Sequence, residues 1–370
     1  MKLRKNYFVL LLISMMCAVV VVGCGGQTNE SASTTNDESS TDNENEAVET
    51  MEPITLSLAD FAPATHPIQA KLFPEWVKAI EEATDGLVKI ELYPGGSLLG
   101  SGDVYSGVAD GIADIGHDVS GLYPGRLPVL NALYLGGIKY ENSAVSSYVA
   151  RDLVAELQPE ELQDTELMFI YGISPGVLMT TEPVESLDDL RGKQIRASGT
   201  NVATLEKLGA TPVAMPVTET YEALSRGVVD GSLLPADTLK SFNLAEVTNY
   251  VTHSNLMYNT VHFVTMNKDK WNSLPTHIQE AIREVNEQTF KDAAQLFTDV
   301  VESGLQYAID EHGVEEIHLS EEEEQRWEET LKPLVESHVE ELNSAGLNGQ
   351  EIMNKIVELS EKYNEEFGNN

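Results

Sequence analysis

One stretch of the chain limits its possible folds more than any other. From about Pro275 to Asp310, the residues Ile278, Ile282, Val285, Phe290, Ala294, Phe297, Val301, Leu305 and Ile309 recur at steps of mostly three or four. That spacing predicts an unbroken helix. At 1.5 Å per residue it is about 50 Å long, more than one small domain spans. The pattern therefore predicts a helix that bridges two lobes. The length of 370 residues agrees, since a domain takes about 100–200.

Upstream, periods of two alternate with helical periods. Ile54, Leu56 and Leu58 alternate with Thr55, Ser57 and Ala59 as a strand. Ile68, Leu72, Trp76 and Ile80 continue as a helix to about Ala83, stopped by Gly86, and Val88, Ile90 and Leu92 form the next strand. Such a strand–helix–strand unit predicts a parallel pair with a right-handed crossover. After the turn Pro94-Gly95-Gly96, a short helix is predicted over 103–110 and a buried strand over 113–116. Further strands are predicted over 167–173, 177–181, 194–198, 212–215, 228–234 and 262–266, with helices over 202–208 (closed by Gly209) and 219–226. Ser320 with Glu323 reads as a capping box for an acidic helix, and 347–367 as the last helix. Trp76 and Trp271 read as core. The fold class is α/β, in two lobes with a ligand cleft between them: 53–173 plus about 262–300 as lobe I, and 174–261 plus about 301–370 as lobe II.

The N-terminus reads as a targeting segment. Lys2, Arg4 and Lys5 precede Tyr7–Val22, an apolar run of 16 residues. That is short for a membrane span and right for a signal-peptide core. The run ends Val21-Val22-Gly23-Cys24, which resembles a bacterial lipoprotein signal. The resemblance implies a signal peptide over 1–23 and a diacylglyceryl group on the Cys24 thiol. Two or more acyl chains then anchor the chain stably to the extracytoplasmic face of the cell membrane. An uncleaved anchor and an ordinary signal peptide are the alternatives. Residues 27–52 hold Ser, Thr, Asn and acids with no aromatic and no base, so 24–52 is predicted to be a disordered acidic tether.

Charge and residue counts exclude whole classes of function. The formal charge is −37; residues 1–52 hold three bases and eight acids, so the body that follows carries −32. This argues against nucleic-acid binding, which needs a cationic face. Capture of an anion would have to rest on a local buried cation. Cys17 leaves with the signal peptide and Cys24 is lipidated, so no thiol chemistry is expected. His66, His117, His253, His262 and His277 show no HxxxH or HExxH spacing, and no metal site is assigned. Gly95, Gly96, Gly100 and Gly102 fit neither GxGxxG nor a phosphate loop. No cofactor and no catalytic residue is assigned. A two-lobed α/β body on a tether outside the cell points to a solute receptor that closes on its ligand by a hinge.

Several segments then match a known family: Ser186-Leu-Asp-Asp-Leu-Arg-Gly-Lys-Gln-Ile-Arg196, Leu208-Gly-Ala-Thr-Pro-Val-Ala-Met-Pro216, Glu219-Thr-Tyr-Glu-Ala-Leu-Ser-Arg-Gly-Val-Val-Asp-Gly231, Trp271-Asn-Ser-Leu-Pro275, Tyr93-Pro-Gly-Gly-Ser-Leu-Leu-Gly100 and Gly111-Ile-Ala-Asp-Ile115. Over about 53–310 the chain resembles the dicarboxylate-type substrate-binding proteins of tripartite ATP-independent periplasmic (TRAP) transporters. The resemblance implies a periplasmic-binding-protein-like fold. It also implies a receptor, not an enzyme, that captures an organic acid and delivers it to a small and a large membrane subunit driven by an ion gradient.

The same resemblance assigns Arg196 to a bidentate pair with the ligand carboxylate, a role that suits a planar fork of donors; the alternative is a surface pair with Asp188 or Asp189. Ser198 and Gly199 follow at a strand-to-helix turn, as anion donors or as plain capping. Leu234 stands where many relatives carry Asn, and 177–181 lacks the second Arg that some carry. Both departures point away from a dicarboxylate and towards a monocarboxylate with an apolar or aromatic tail. Asp60, Phe61, Asp118, Tyr171 and Asn259 are read as ligand contacts or, equally, as hinge and core residues. Arg126 is a second anion partner or a structural ion pair. Competing functions are a sensory receptor of the same fold, the receptor of an ATP-driven transporter, and a secreted α/β enzyme.

Overall fold

The computed structural model describes residues 52–368; the predicted signal peptide, Cys24 and the tether as far as Met51 lie outside them. The chain first runs β1 (Ile54–Asp60), α1 (Phe73–Ala83), β2 (Val88–Tyr93), α2 (Val104–Ala109), β3 (Ile115–Val119), α3 (Pro128–Ala132), α4 (Ser143–Leu157) and β4 (Thr165–Ile173). It crosses to β5 (Gly176–Thr180), β6 (Gln194–Ala197), α5 (Asn201–Leu208), β7 (Thr211–Ala214), α6 (Thr220–Ser225), β8 (Gly231–Pro235), α7 (Thr238–Ser241) and β9 (Tyr250–His253). It returns through β10 (Thr260–Asn267), α8 (Lys268–Ser273) and the long α9 (Thr276–His312), and ends with β11 (Glu315–His318), α10 (Glu321–Ser344) and α11 (Gly349–Phe367).

Two sheets result. The first has the order β2-β1-β3-β10-β4 and the second β11-β9-β5-β8-β6-β7. β1 and β2 pair in parallel from Ile54 opposite Val88 to Ala59 opposite Tyr93, around the crossover helix α1. β10 inserts antiparallel between β3 and β4, so the chain closes the first sheet after it has built the second. The architecture is a two-lobed α/β fold with one long helix serving both sheets.

α9 has 37 residues, about 55 Å of helix. It packs on α1, α4 and β4 of the first sheet's layer and on α7 of the second. Gly304 lets it pass the β8–α7 turn, where a Cβ would lie 2.6 Å from Ala236 O. Phe290 and Phe297 join Trp76, Phe73 and Leu58 in one core, and Ala308 joins Val177, Leu239 and Val251 in another. α10 packs on α5 and α3, and α11 on α4 and α10. Among the described residues no helix is long and apolar enough to cross a membrane.

Departures from the sequence reading have local causes. The helix predicted from Ile68 begins with one wide turn, Ile68–Leu72, before α1. The strand predicted from Val228 starts at Gly231, because the N–H groups of Val228 and Val229 close the end of α6 onto Ala223 O. Only half of the predicted capping box forms. Ser320 Oγ accepts from Glu323 N at 3.3 Å, but the Glu323 carboxylate accepts from Leu187 N and pairs with Arg326. α4 escapes notice because Ser143, Ser146 and Ser147 are buried along with Val145 and Val149, which erases the amphipathic stripe.

The α1–α9 contact carries a testable cost. Trp76 Nε1 donates to Asn286 Oδ1 at 2.9 Å, and both residues are buried. Asn286→Ala strands the indole N–H and lowers stability by about 1–3 kcal/mol. Chemical denaturation measures it; an unchanged unfolding midpoint contradicts the assignment.

Candidate functional site

The carboxyl ends of β1 and β3 in the first sheet and of β6 and β8 in the second converge on a cavity of about 380 Å³. Small-ligand sites begin at about 300 Å³ and favour such strand ends. Its walls are largely apolar, with Phe61, Leu122 and Ile173 from one half and Val217, Leu234 and Phe242 from the other. Its titratable groups are Arg196, Asp237, His66 and His262, with Tyr134 and Tyr258.

Arg196 is the cation of this cavity. β6 lies between β7 and β8, with Arg196 opposite Val213 and Ser232, so its backbone is fixed on both sides. The residue is 2% exposed. Nε and Nη2 both donate to Met215 O, at 3.1 and 2.8 Å. No carboxylate forms an ion pair with it among the described residues. Asp188 and Asp189, the surface partners considered above, are engaged elsewhere: Asp188 with Arg191 and Arg326, and Asp189 with Ser186 and the Glu185 N–H. Burial pushes the guanidinium down to about 10, partly opposed by Tyr258 and Tyr134. It stays charged at neutral pH. A desolvated cation without an anion, facing an apolar cavity, is a site that gains from a carboxylate.

A buried hydrogen-bond chain leads to the same cavity. Asp60 accepts from Ala62 N at 2.9 Å, Gln69 Nε2 at 2.5 Å and His117 Nδ1 at 2.8 Å. His117 Nε2 lies 3.0 Å from the Tyr171 hydroxyl and 3.1 Å from His262 Nδ1. Burial, with His117 and His66 nearby, holds His262 well below the ordinary imidazole range, so it is neutral. His117 Nδ1–H donates to Asp60, and His262, against the other ring nitrogen of His117, lines the cavity.

The nine sequence candidates therefore separate. Phe61, Arg196, Ser198 and Leu234 line the cavity. Asp60, Asp118, Gly199, Tyr171 and Asn259 are not among its lining residues. Asp60 orients His117, and Tyr171 stacks on both His262 and Phe297, with ring centroids at 5.0 and 4.9 Å. Asp118 accepts from Ser101 Oγ, Gly102 N, Val119 N and the Tyr123 hydroxyl, which fixes the 100–102 wall; burial raises its pKa against those four donors. Asn259 joins Ser146, Ser174 and Leu133 O where the chain crosses between sheets. Gly199 has φ +57°, and a Cβ there would lie 2.0 Å from Gly121 O, so two turns from opposite halves touch at the cavity rim. Arg126 is exposed and pairs with Asp164. Sequence reasoning missed His66, Asp237 and His262 as wall residues. His66 Nε2 and Asp237 Oδ2 lie 3.5 Å apart across the halves, a pairing that no local spacing announces.

Known proteins share this architecture. The profile of the bacterial extracellular solute-binding proteins, family 7, matches residues 58–342. A TRAP periplasmic solute binding protein from Desulfovibrio salexigens is 32% identical and superposes with a TM-score of 0.76, over 84% of this chain and 96% of that one. A TRAP solute binding protein from a marine metagenome, specific for aromatic acid ligands and solved with metahydroxyphenylacetate, is 28% identical with a TM-score of 0.79, over 84% and 99%. The C4-dicarboxylate-binding periplasmic protein DctP of Rhodobacter capsulatus is 30% identical over 171 residues, 45% of this chain and 51% of that one.

The Gly199–Gly121 contact can be tested without a ligand. Gly199→Ala adds a Cβ in a left-handed conformation that costs about 1–2 kcal/mol and separates the two turns. Stability falls by that order, and small-angle X-ray scattering reports a larger radius of gyration. If neither quantity moves, the halves do not depend on this contact.

Proposed function

Because the chain belongs to the bacterial extracellular solute-binding proteins of family 7, the extracytoplasmic receptors of TRAP transporters, we propose that its cavity captures a monocarboxylic acid with an aromatic or apolar body. The observation that carries this reading is Arg196: buried, charged, bonded among the described residues only to a carbonyl, and set among apolar walls. Its fork takes the carboxylate. Phe61 and Leu234 hold the body of the ligand, and Ser198 adds a hydroxyl and a backbone donor. A second carboxylate would meet Leu234 and the Asp237 carboxylate in place of a second cation. That separates this receptor from the C4-dicarboxylate protein of Rhodobacter capsulatus. The neutral imidazole of His262 in the wall suits a ligand hydroxyl, and the metagenome relative, also solved with 3-hydroxybenzoate, supports that class.

Asp60, Asp118, Tyr171, Asn259 and Gly199 act behind the contact residues, by setting His262, the 100–102 wall, the chain crossing and the rim. The lobes are centred on the two sheets, 53–173 with 262–300 and 174–261 with the remainder. Because α11 packs on α4 and α10 on α5, the C-terminal pair belongs to both. Cys24 carries the lipid anchor, and the ligand passes unchanged to the small and large membrane subunits.

Calorimetry of the purified receptor with benzoate, 3-hydroxybenzoate and succinate tests the reading. The aromatic acids bind and succinate does so more weakly. Arg196→Ala loses about 1.5–3 kcal/mol, the worth of a charged hydrogen bond, or roughly 10- to 150-fold in affinity. Arg196→Lys keeps the charge and loses the fork, and still weakens binding. Undiminished binding by Arg196→Ala, or succinate as the tightest ligand, overturns it.

A further inference from the structure

A second cluster of ligating side chains lies away from the cavity, on the edge of the second sheet. β11 and β9 pair in parallel, with His318 opposite His253 and Glu316 opposite Val251. Because side chains alternate along a strand, Glu316 and His318, two residues apart, share a face. The pairing sets His253 beside them. His253 Nε2 is 3.0 Å from Glu316 Oε2, and His318 Nε2 is 3.9 Å from the same oxygen. The two imidazoles stack with centroids 4.6 Å apart and planes 10° from parallel. One ligand atom from each of the three residues falls within 4.8 Å of the others. None of the three lines the cavity.

We propose that His253, Glu316 and His318 form a binding site for a divalent transition-metal ion of the zinc class. Two imidazoles and one carboxylate suit Zn²⁺, Ni²⁺ or Cu²⁺ better than Mg²⁺ or Ca²⁺, which prefer oxygen ligands only. Three protein ligands leave a fourth, tetrahedral position for water. Tetrahedral bonds of about 2.0–2.2 Å set the donor atoms about 3.3–3.6 Å apart, so the 3.0 Å His253–Glu316 pair opens slightly and the 3.9 Å His318–Glu316 pair contracts. His318 permits this contraction, since its side chain is 72% exposed while that of His253 is 21% and the packed partner can stay in place. The ion clamps β11, the strand that follows the long α9, to β9, the last strand before the chain crosses to β10. It therefore acts on the second sheet's edge and not on the carboxylate site.

Untagged full-length protein, freed of metal by chelator and dialysis, is titrated with Zn²⁺ by calorimetry and with Co²⁺ by visible absorption. The site predicts one saturable equivalent of Zn²⁺ and the intense bands of tetrahedral Co²⁺. Mg²⁺ and Ca²⁺ at equal concentration give neither and raise the melting temperature less than Zn²⁺ does. His318→Ala, an exposed change that spares the fold, abolishes the Co²⁺ bands and weakens Zn²⁺ at least tenfold; Glu316→Gln weakens it as well. Equal binding by His318→Ala, an equal response to Mg²⁺ or Ca²⁺, or no stoichiometric Zn²⁺ binding overturns the proposal.

Discussion

The structure turns on one buried charge. Holding a guanidinium out of water with no counter-ion costs on the order of several kcal/mol, and among the described residues Arg196 has only Met215 O to offset it. A protein tolerates such a group where the surroundings are stiff enough to prevent its escape to solvent. Here the stiffness comes from β6, hydrogen-bonded on both sides by β7 and β8. In the proposed function, the unmet demand of that cation draws an anion into the cavity of a body whose net charge of −32 repels anions in general. Screening over about 10 Å in ordinary salt lets the local field prevail over the distant one.

The rest of the fold serves that arrangement. Arg196 and the apolar wall opposite it stand on different sheets, so the cavity exists only while the sheets keep their spacing. α9 sets the spacing by contributing to both cores, and Gly304 removes the one Cβ that would push it off the β8–α7 turn. At the rim, Gly199 allows backbone to meet backbone. Behind the wall, Asp60 and His117 hold the His262 imidazole in place, and burial keeps it neutral. The first sheet thereby contributes an uncharged polar group where the second contributes a cation.

Much of this was legible in the sequence, for physical reasons that differ between elements. α9, the β1–α1–β2 unit and the β6–α5–Gly209 segment each carry a periodic apolar pattern with clear punctuation, so their information is local. α4 is buried on most sides by Ser and small apolar residues, and β9 and β11 are four-residue strands whose order comes from pairing, so none leaves a periodic trace. The site divides in the same way. Arg196 and Leu234 stand in segments that resemble family motifs. His262 reaches His117 across 145 residues and Asp237 reaches His66 from the other half, contacts that only the β1–β3–β10 order and the cleft create. His253 and His318 were invisible as a pair because parallel register, not sequence spacing, sets them side by side.

A crystal structure of the receptor with 3-hydroxybenzoate would show whether Arg196 is the group that holds the acid. The account predicts both carboxylate oxygens about 2.7–3.2 Å from Arg196 guanidinium nitrogens, with the ring against Phe61 and Leu234. An acid bound with its carboxylate away from Arg196, and the guanidinium still bonded only to Met215 O, would contradict it.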